Sequence, residues 1–278
     1  MTEIKEIVER ALAEDIGAGD MTARAIVPVA AEGRAHVVQK EPGIVHGYEI
    51  AREAFTQTGA TYFDVREPED RWRDDVPKTL FIVHGRSRGL LAAERVALNF
   101  LAHLSGIATM TANFVREVEG TGVRILDTRK TTPGLRALEK EAVAVGGGVN
   151  HRMGLYDAVL IKENHVVVAG GIREAVAEAR DAGREDIEIE TRSLSEVSEA
   201  VAAGADRILL DNMDPTAMAR AVALARGAAE GPLQIEASGG VNLHNVRRVA
   251  ETGVDDISVG ALTHSAPALD LSMQLRAV

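Results

Sequence analysis

From about residue 120 onward the chain repeats one pattern: a short β-branched or Leu/Ile run, a polar turn, then a stretch rich in Ala, Glu and Arg. Short apolar runs bounded by turns predict strands, and apolar positions recurring every three to four residues predict helices. Strands are expected at 123–126, 158–161, 187–189, 207–210, 233–235 and 257–259, with helices near 171–182, 193–203, 214–226 and 242–252. Gly183, Gly204 and Gly253 each stand just after a helical stretch, where a left-handed C-cap is wanted. Strand and helix in alternation predict parallel pairing through right-handed crossovers, in an open sheet or in a barrel. The first 105 residues read differently. Short strands at 34–39, 60–65 and 79–85 precede an apolar helix at 90–104, the pattern of a small α+β domain.

The residue types just past each strand choose between sheet and barrel. Asp127, Thr128, Arg129 and Lys130 follow the first run, Lys162 the second, Glu190 the third, Asp211 the fourth, Glu236 and Ser238 the fifth, and Gly260 the sixth. In a (β/α) barrel these ends converge on one mouth, whereas an open sheet strings them along an edge. The expected fold class is therefore α/β, an open or incomplete (β/α) barrel of six or seven strands with a smaller N-terminal domain. The domains are expected to span 1–105 and 106–278, with the last helix able to pack back on the N-terminal one.

Charge and composition then remove whole classes of function. A net charge of −11 repels phosphate backbones and anionic lipid, so neither nucleic acid nor membrane is an expected partner. Without cysteine there are no disulfides, thiolate zinc sites or cysteine nucleophiles, which suits a cytoplasmic enzyme. The opening MTEIKEIVERALAEDIG is acidic and amphipathic, unlike a secretory or transit leader. No run approaches the roughly 18 apolar residues of a membrane span. The acidity is uneven, however: between Arg124 and Lys162 seven Lys or Arg stand against four Asp or Glu. An acidic protein carries one basic island.

Within that island, DTRKTTPG at 127–134 exposes a guanidinium and an ammonium side by side in a turn, a pairing suited to carboxylate or phosphate. A solvated turn would explain the same residues. GGGVNHRMGLYDAVLIKENH at 146–165 adds His151, Arg152 and then Lys162, one of six lysines in a chain with 25 arginines. His151 alone is as readily a structural histidine. Glu188 and Glu190 share a strand face, which in a barrel is the interior, and buried carboxylates need partners. Glu190 and Asp211 suit basic side chains, sugar hydroxyls or a hydrated Mg2+, while Glu188 and Glu236 fit a structural ion-pair network better. EASGG at 236–240 and SVGAL at 258–262 end late strands in small residues whose N–H groups suit a phosphate. Together these features imply substrates bearing carboxylates, a pyrophosphate and a phosphate.

The strings AEDIGAGDMT (13–22), AERVALNFLAHLSGIAT (93–109), DTRKTTPG, NHRMGLYDAVLIKENH and EASGG closely resemble the quinolinate phosphoribosyltransferase family, nearly from end to end. The resemblance implies an α/β sandwich N-terminal domain beside an open (β/α) barrel. It implies transfer of phosphoribosyl from phosphoribosyl pyrophosphate to quinolinate, with decarboxylation to nicotinate mononucleotide, and Mg2+ as cofactor. It also implies a homodimer, or a hexamer of dimers, in which Arg95 crosses the interface. Arg129, His151, Arg152 and Lys162, with Thr128 and Lys130 nearby, then line the quinolinate pocket. Glu190 and Asp211 match the carboxylates at the ribose and its Mg2+, and Ser238, Gly239, Gly240, Gly260 and His264 match the 5′-phosphate turn. Lys130, Lys162, Glu190 and Asp211 are the expected catalytic residues. Two positions depart from the family pattern: Glu163, where Asp is frequent, and Arg192, where an acid or a neutral residue is frequent. The rival readings are a barrel aldolase with Lys162 as Schiff-base lysine, a family paralogue that binds a related anion, and a scaffold protein.

Overall fold

The structure, a computed structural model, describes residues 2–278. It divides into two compact units, Met1–Met110 with Ala266–Val278, and Thr111–Ser265. The first contains α1 (Thr2–Ile16), α2 (Met21–Ile26), β1 (Glu32–Gln39), β2 (Gly43–Ile44), α3 (Tyr48–Gln57), β3 (Ala60–Val65), β4 (Trp72–Arg73), β5 (Lys78–Arg86) and most of α4 (Ser87–Glu117). The second contains β6 (Arg124–Leu126), α5 (Arg136–Val145), β7 (Leu160–Ile161), α6 (Glu163–Ala169), α7 (Ile172–Asp181), β8 (Glu188–Thr191), α8 (Leu194–Ala202), β9 (Arg207–Asp211), α9 (Pro215–Ala228), β10 (Gln234–Ser238), α10 (Val246–Ala250), β11 (Asp256–Ser258) and α11 (Ala261–His264). The chain closes with β12 (Leu271–Ala277), in the first unit.

The first unit is built on an antiparallel sheet in the order β12-β1-β5-β3. Alternating burial along β1 turns Ala35 and Val37 inward, and Phe81 of β5 stacks on Phe63 with centroids 4.2 Å apart. Tyr48 of α3 meets Phe81 edge-on at 5.0 Å, so helix and sheet share an aromatic core. By length and composition α4 would pass for a membrane-crossing helix, but 56% of its most apolar window is buried inside the protein, as befits a core helix. The C-terminal segment expected as a helix is instead β12, paired antiparallel with β1 from Gly33↔Ala277 to Gln39↔Leu271. Leu, Met, Gln and Arg favour helix locally, and an open sheet edge overrides that weak preference.

The second unit holds six parallel strands in the order β6-β11-β10-β9-β8-β7. The first strand pairs with the last, Arg124↔Asp256 to Leu126↔Ser258, so the sheet curls upon itself. Val149 adds a seventh position beside Leu126, and between that segment and β7 the ring stays open. This is the incomplete barrel that the polar residues at the strand ends predicted. Gly183, Gly204 and Gly253 take φ of 72°, 78° and 92°, the left-handed geometry expected after each helix. Unforeseen from the pattern are α5 and α6, short helices on either side of the glycine-rich segment.

Candidate active site

The C-terminal ends of the barrel strands surround a cavity of roughly 390 Å3. Its wall includes Thr128, Arg129, Lys130, His151, Arg152, Lys162, Glu190, Asp211 and Ser238, residues drawn from segments up to 110 positions apart. Asp127 anchors this wall from beneath. Its side chain is fully buried, pairs with the buried Lys140 of α5, and accepts the His151 N–H at 2.9 Å. Lys140 also donates to the His151 carbonyl at 3.2 Å, so one ion pair ties β6 to the glycine-rich segment. Arg136 supports the same loops, donating to Thr131 Oγ1 (3.0 Å), the Met153 carbonyl (3.0 Å) and the Arg129 carbonyl (3.3 Å). Neither Asp127, Lys140 nor Arg136 stood out as a site residue in the sequence. The only signal was their place beside or within DTRK and the helix after it.

Four cations reach the cavity with no carboxylate paired to them. Among the described residues Arg129, Lys130, Arg152 and Lys162 form no ion pair, whereas Arg124, Lys140, Arg192 and Arg207 all do. Arg129 buries its Nε without a hydrogen-bond partner. Burial, and then the nearby Arg129 guanidinium, pull Arg152 below the usual arginine value. Acids further off, Glu188 and Asp157 around Arg152 and Glu190 near Lys162, offset part of this charge, and an entering anion can supply the direct pairing that these cations lack.

Below the cations lies a network of acids and bases inside the barrel. His151 Nε2 is 3.1 Å from Glu188 and 3.3 Å from Glu236, and Arg207 lies 3.5 Å from Glu236 and 3.2 Å from Asp256. Arg124 closes the row on Asp256 with contacts of 2.6 and 2.8 Å. Glu188 and Glu236 thus take the ion-pair role, although neither Glu236 oxygen has a well-directed hydrogen bond. Burial alone would lower the His151 pKa, and the two carboxylates outweigh it, raising the value to about 9. The Arg152 N–H points at Nδ1 from 2.7 Å, a contact that favours the neutral ring and opposes the pull of the acids.

At the opposite side of the mouth Glu190 and Asp211 stand together, with side chains 12% and 16% exposed. Burial raises the Glu190 pKa, and the neighbouring Asp211 charge adds to the shift. Arg192 spans both, 3.3 Å from Glu190 and 3.2 Å from Asp211, and also pairs with Glu163. Gly239 and Gly240 turn at φ 88° and 65°, and a side chain at Gly239 would collide with Asn212. Gly260 packs against Lys130 and His264, and Thr263 donates to the Lys130 carbonyl at 2.7 Å, joining the late turns to the DTRK loop. Arg95 belongs to the first unit, exposed on α4, and is not among the residues lining this cavity.

Residues 107–274 match the C-terminal domain model of quinolinate phosphoribosyl transferase and residues 20–105 match its N-terminal domain model. The chain belongs to the quinolinate phosphoribosyltransferase family. It is 40% identical to the probable nicotinate-nucleotide pyrophosphorylase (carboxylating) of Bacillus subtilis, covering 98% of this chain and 93% of that one. Identity to the corresponding pyrophosphorylase of Mycobacterium leprae is 42%, over 98% and 96%. The solved nicotinate-nucleotide pyrophosphorylase of Francisella tularensis superposes with a TM-score of 0.90 at 38% identity, over 99% and 96% of the two chains. Membership of the quinolinate phosphoribosyltransferase family sets aside the Schiff-base aldolase and the scaffold.

Proposed function

We propose that this protein transfers the phosphoribosyl group of phosphoribosyl pyrophosphate to the ring nitrogen of quinolinate, releasing pyrophosphate and CO2 and leaving nicotinate mononucleotide for NAD biosynthesis. The observation that carries this reading is the set of four unpaired cations, Arg129, Lys130, Arg152 and Lys162, around one cavity. A doubly anionic aromatic acid supplies the charge they lack, and bidentate guanidinium contacts fix its orientation. Arg129, Arg152 and Lys162, with His151 and Thr128 beside them, hold the two carboxylates and aim the nitrogen at the anomeric carbon, so positioning supplies much of the catalysis. Lys130 meets the departing pyrophosphate, while Glu190 and Asp211 face the ribose as positive charge develops there.

Two adjacent carboxylates are hard oxygen donors and suit Mg2+, which takes one or two such ligands alongside substrate phosphates; Glu190 and Asp211 would hold it. When bound, the ion neutralises charge on the leaving pyrophosphate. Ser238, Gly239, Gly240 and Gly260, with His264, take the 5′-phosphate through turn N–H groups. Once the nitrogen is quaternised, the bond to the 2-carboxylate breaks with its electrons drawn toward the ring, CO2 departs, and the carbon takes a proton from solvent. The protein works as a homodimer or as a hexamer of dimers, with Arg95 completing the site of a second copy. The exposed Leu155, Tyr156, Val167 and Val168 of the second unit, between 73% and 88% accessible, support burial against another chain.

The test is to mix the protein with quinolinate, phosphoribosyl pyrophosphate and Mg2+ and to follow nicotinate mononucleotide and CO2. Both are expected. Arg129→Ala should lower quinolinate turnover by at least about a hundredfold while phosphoribosyl pyrophosphate still binds. Normal turnover in that variant would remove the cation pocket, and binding without CO2 release would favour the anion-binding paralogue.

A further inference from the structure

Arg192 does something the rest of the basic set does not: it places a cation directly on the carboxylate pair. Its Nη2 is 3.3 Å from Glu190 and its Nε 3.2 Å from Asp211, while Nη1 is bonded to Glu163. One guanidinium therefore holds three acids through three nitrogens. Its backbone is pinned: the Arg192 N–H donates to Glu196 at 2.6 Å, and the next residue, Ser193, caps α8 by accepting the Glu196 N–H at 3.2 Å. The side chain itself is 49% exposed, so solvent and not packed core lies outside it, and its partner Glu163, 58% exposed, stands on that outer side.

We propose that Arg192 is a built-in counter-ion that fills the divalent-cation position between Glu190 and Asp211 in the free enzyme, so that the metal enters together with the pyrophosphate substrate rather than ahead of it. The proposal rests on the reading of Glu190 and Asp211 as the metal-holding pair. A guanidinium and a hydrated divalent ion cannot both lie between carboxylates so close, and a unit positive charge within hydrogen-bond distance of the ligands lowers their attraction for a second cation. A metal that arrives bound to pyrophosphate brings its own oxygen ligands and the negative charge that draws Arg192 away. The arrangement makes Arg192 a specificity-determining residue: it selects the metal–substrate complex over the bare ion.

Binding of Mn2+ alone, read from the electron paramagnetic resonance signal of the free ion, tests this without turnover. Arg192→Gln is expected to bind Mn2+ at least about tenfold tighter than the natural protein. Arg192→Met, which keeps the length and removes the charge, is expected to match it. The gain should vanish when Asp211→Asn is added to Arg192→Gln. Equal Mn2+ affinity in the natural protein and both neutral variants would overturn the proposal, as would a gain that survives Asp211→Asn. Nicotinate mononucleotide formation by the natural protein is scored separately: its absence would sink the proposed function, whereas the Mn2+ comparison alone decides the role of Arg192.

Discussion

Asp127 and Lys140 face one another with 0% and 1% of their side chains exposed. Removing either would leave a buried charge without its counter-ion, which commonly costs about 3–5 kcal/mol. In the sequence Asp127 looked like one more member of an exposed turn. Both Asp127 and Arg129 border the cavity, but the fold buries Asp127 against Lys140 of α5 and leaves Arg129 without a carboxylate, a distinction that α5 makes and residue type does not. His151 shows the same limit, because its two carboxylate partners lie on β8 and β10, 37 and 85 residues further along the chain. Its pKa is raised from 6.5 to about 9, so the stability from these ion pairs is fully present below about 6.5 and is lost as the pH climbs through about 9. Glu236→Gln is expected to bring the imidazole titration, followed by NMR, back toward 6.5. An unmoved titration would mean that Glu236 does not hold the charge.

Elements were legible wherever periodicity carried them. The run at 207–210 became β9 and that at 60–65 became β3, because alternating or continuous apolar positions are set by local burial. Glycines marked the ends of α7 and α8 and of the helix before β11 for the same local reason. What escaped were the short helices α5 and α6 beside the glycine-rich segment, and the elements made by pairing: β12, composed of helix-favouring residues, and the single bridge at Val149. Deleting Ala266–Val278 would strip β1 of one of its two antiparallel neighbours, leaving only β5, and would expose β1 as a long open edge. The shortened chain is expected to unfold at lower urea concentration and to aggregate in a concentration-dependent way by light scattering. An unchanged midpoint would show that β12 contributes little to the sheet.

At the scale of the molecule, a chain of net charge −11 gathers seven basic residues against four acidic ones between Arg124 and Lys162 and points four of its cations at one cavity. Such a focused field speeds the arrival of a dianion and is screened by salt, so kcat/KM for quinolinate is expected to fall as ionic strength rises from about 0.05 M to about 0.5 M. A flat salt profile would argue against steering. The order of apolar runs by itself determined that strands and helices alternate, since each element depends on neighbours within a few residues, and alternation implied parallel strands because each helix returns the chain to the start of the sheet. It also determined which residue types stand at each strand end. Only the tertiary structure decided which cations are neutralised and which are left to a ligand. Arg124 finds Asp256 from 132 positions away and Arg192 finds Asp211 at the end of the neighbouring strand, while Arg129 and Lys162 form no ion pair. Electrostatic pairing acts through distance in space, which the order of residues along the chain does not contain.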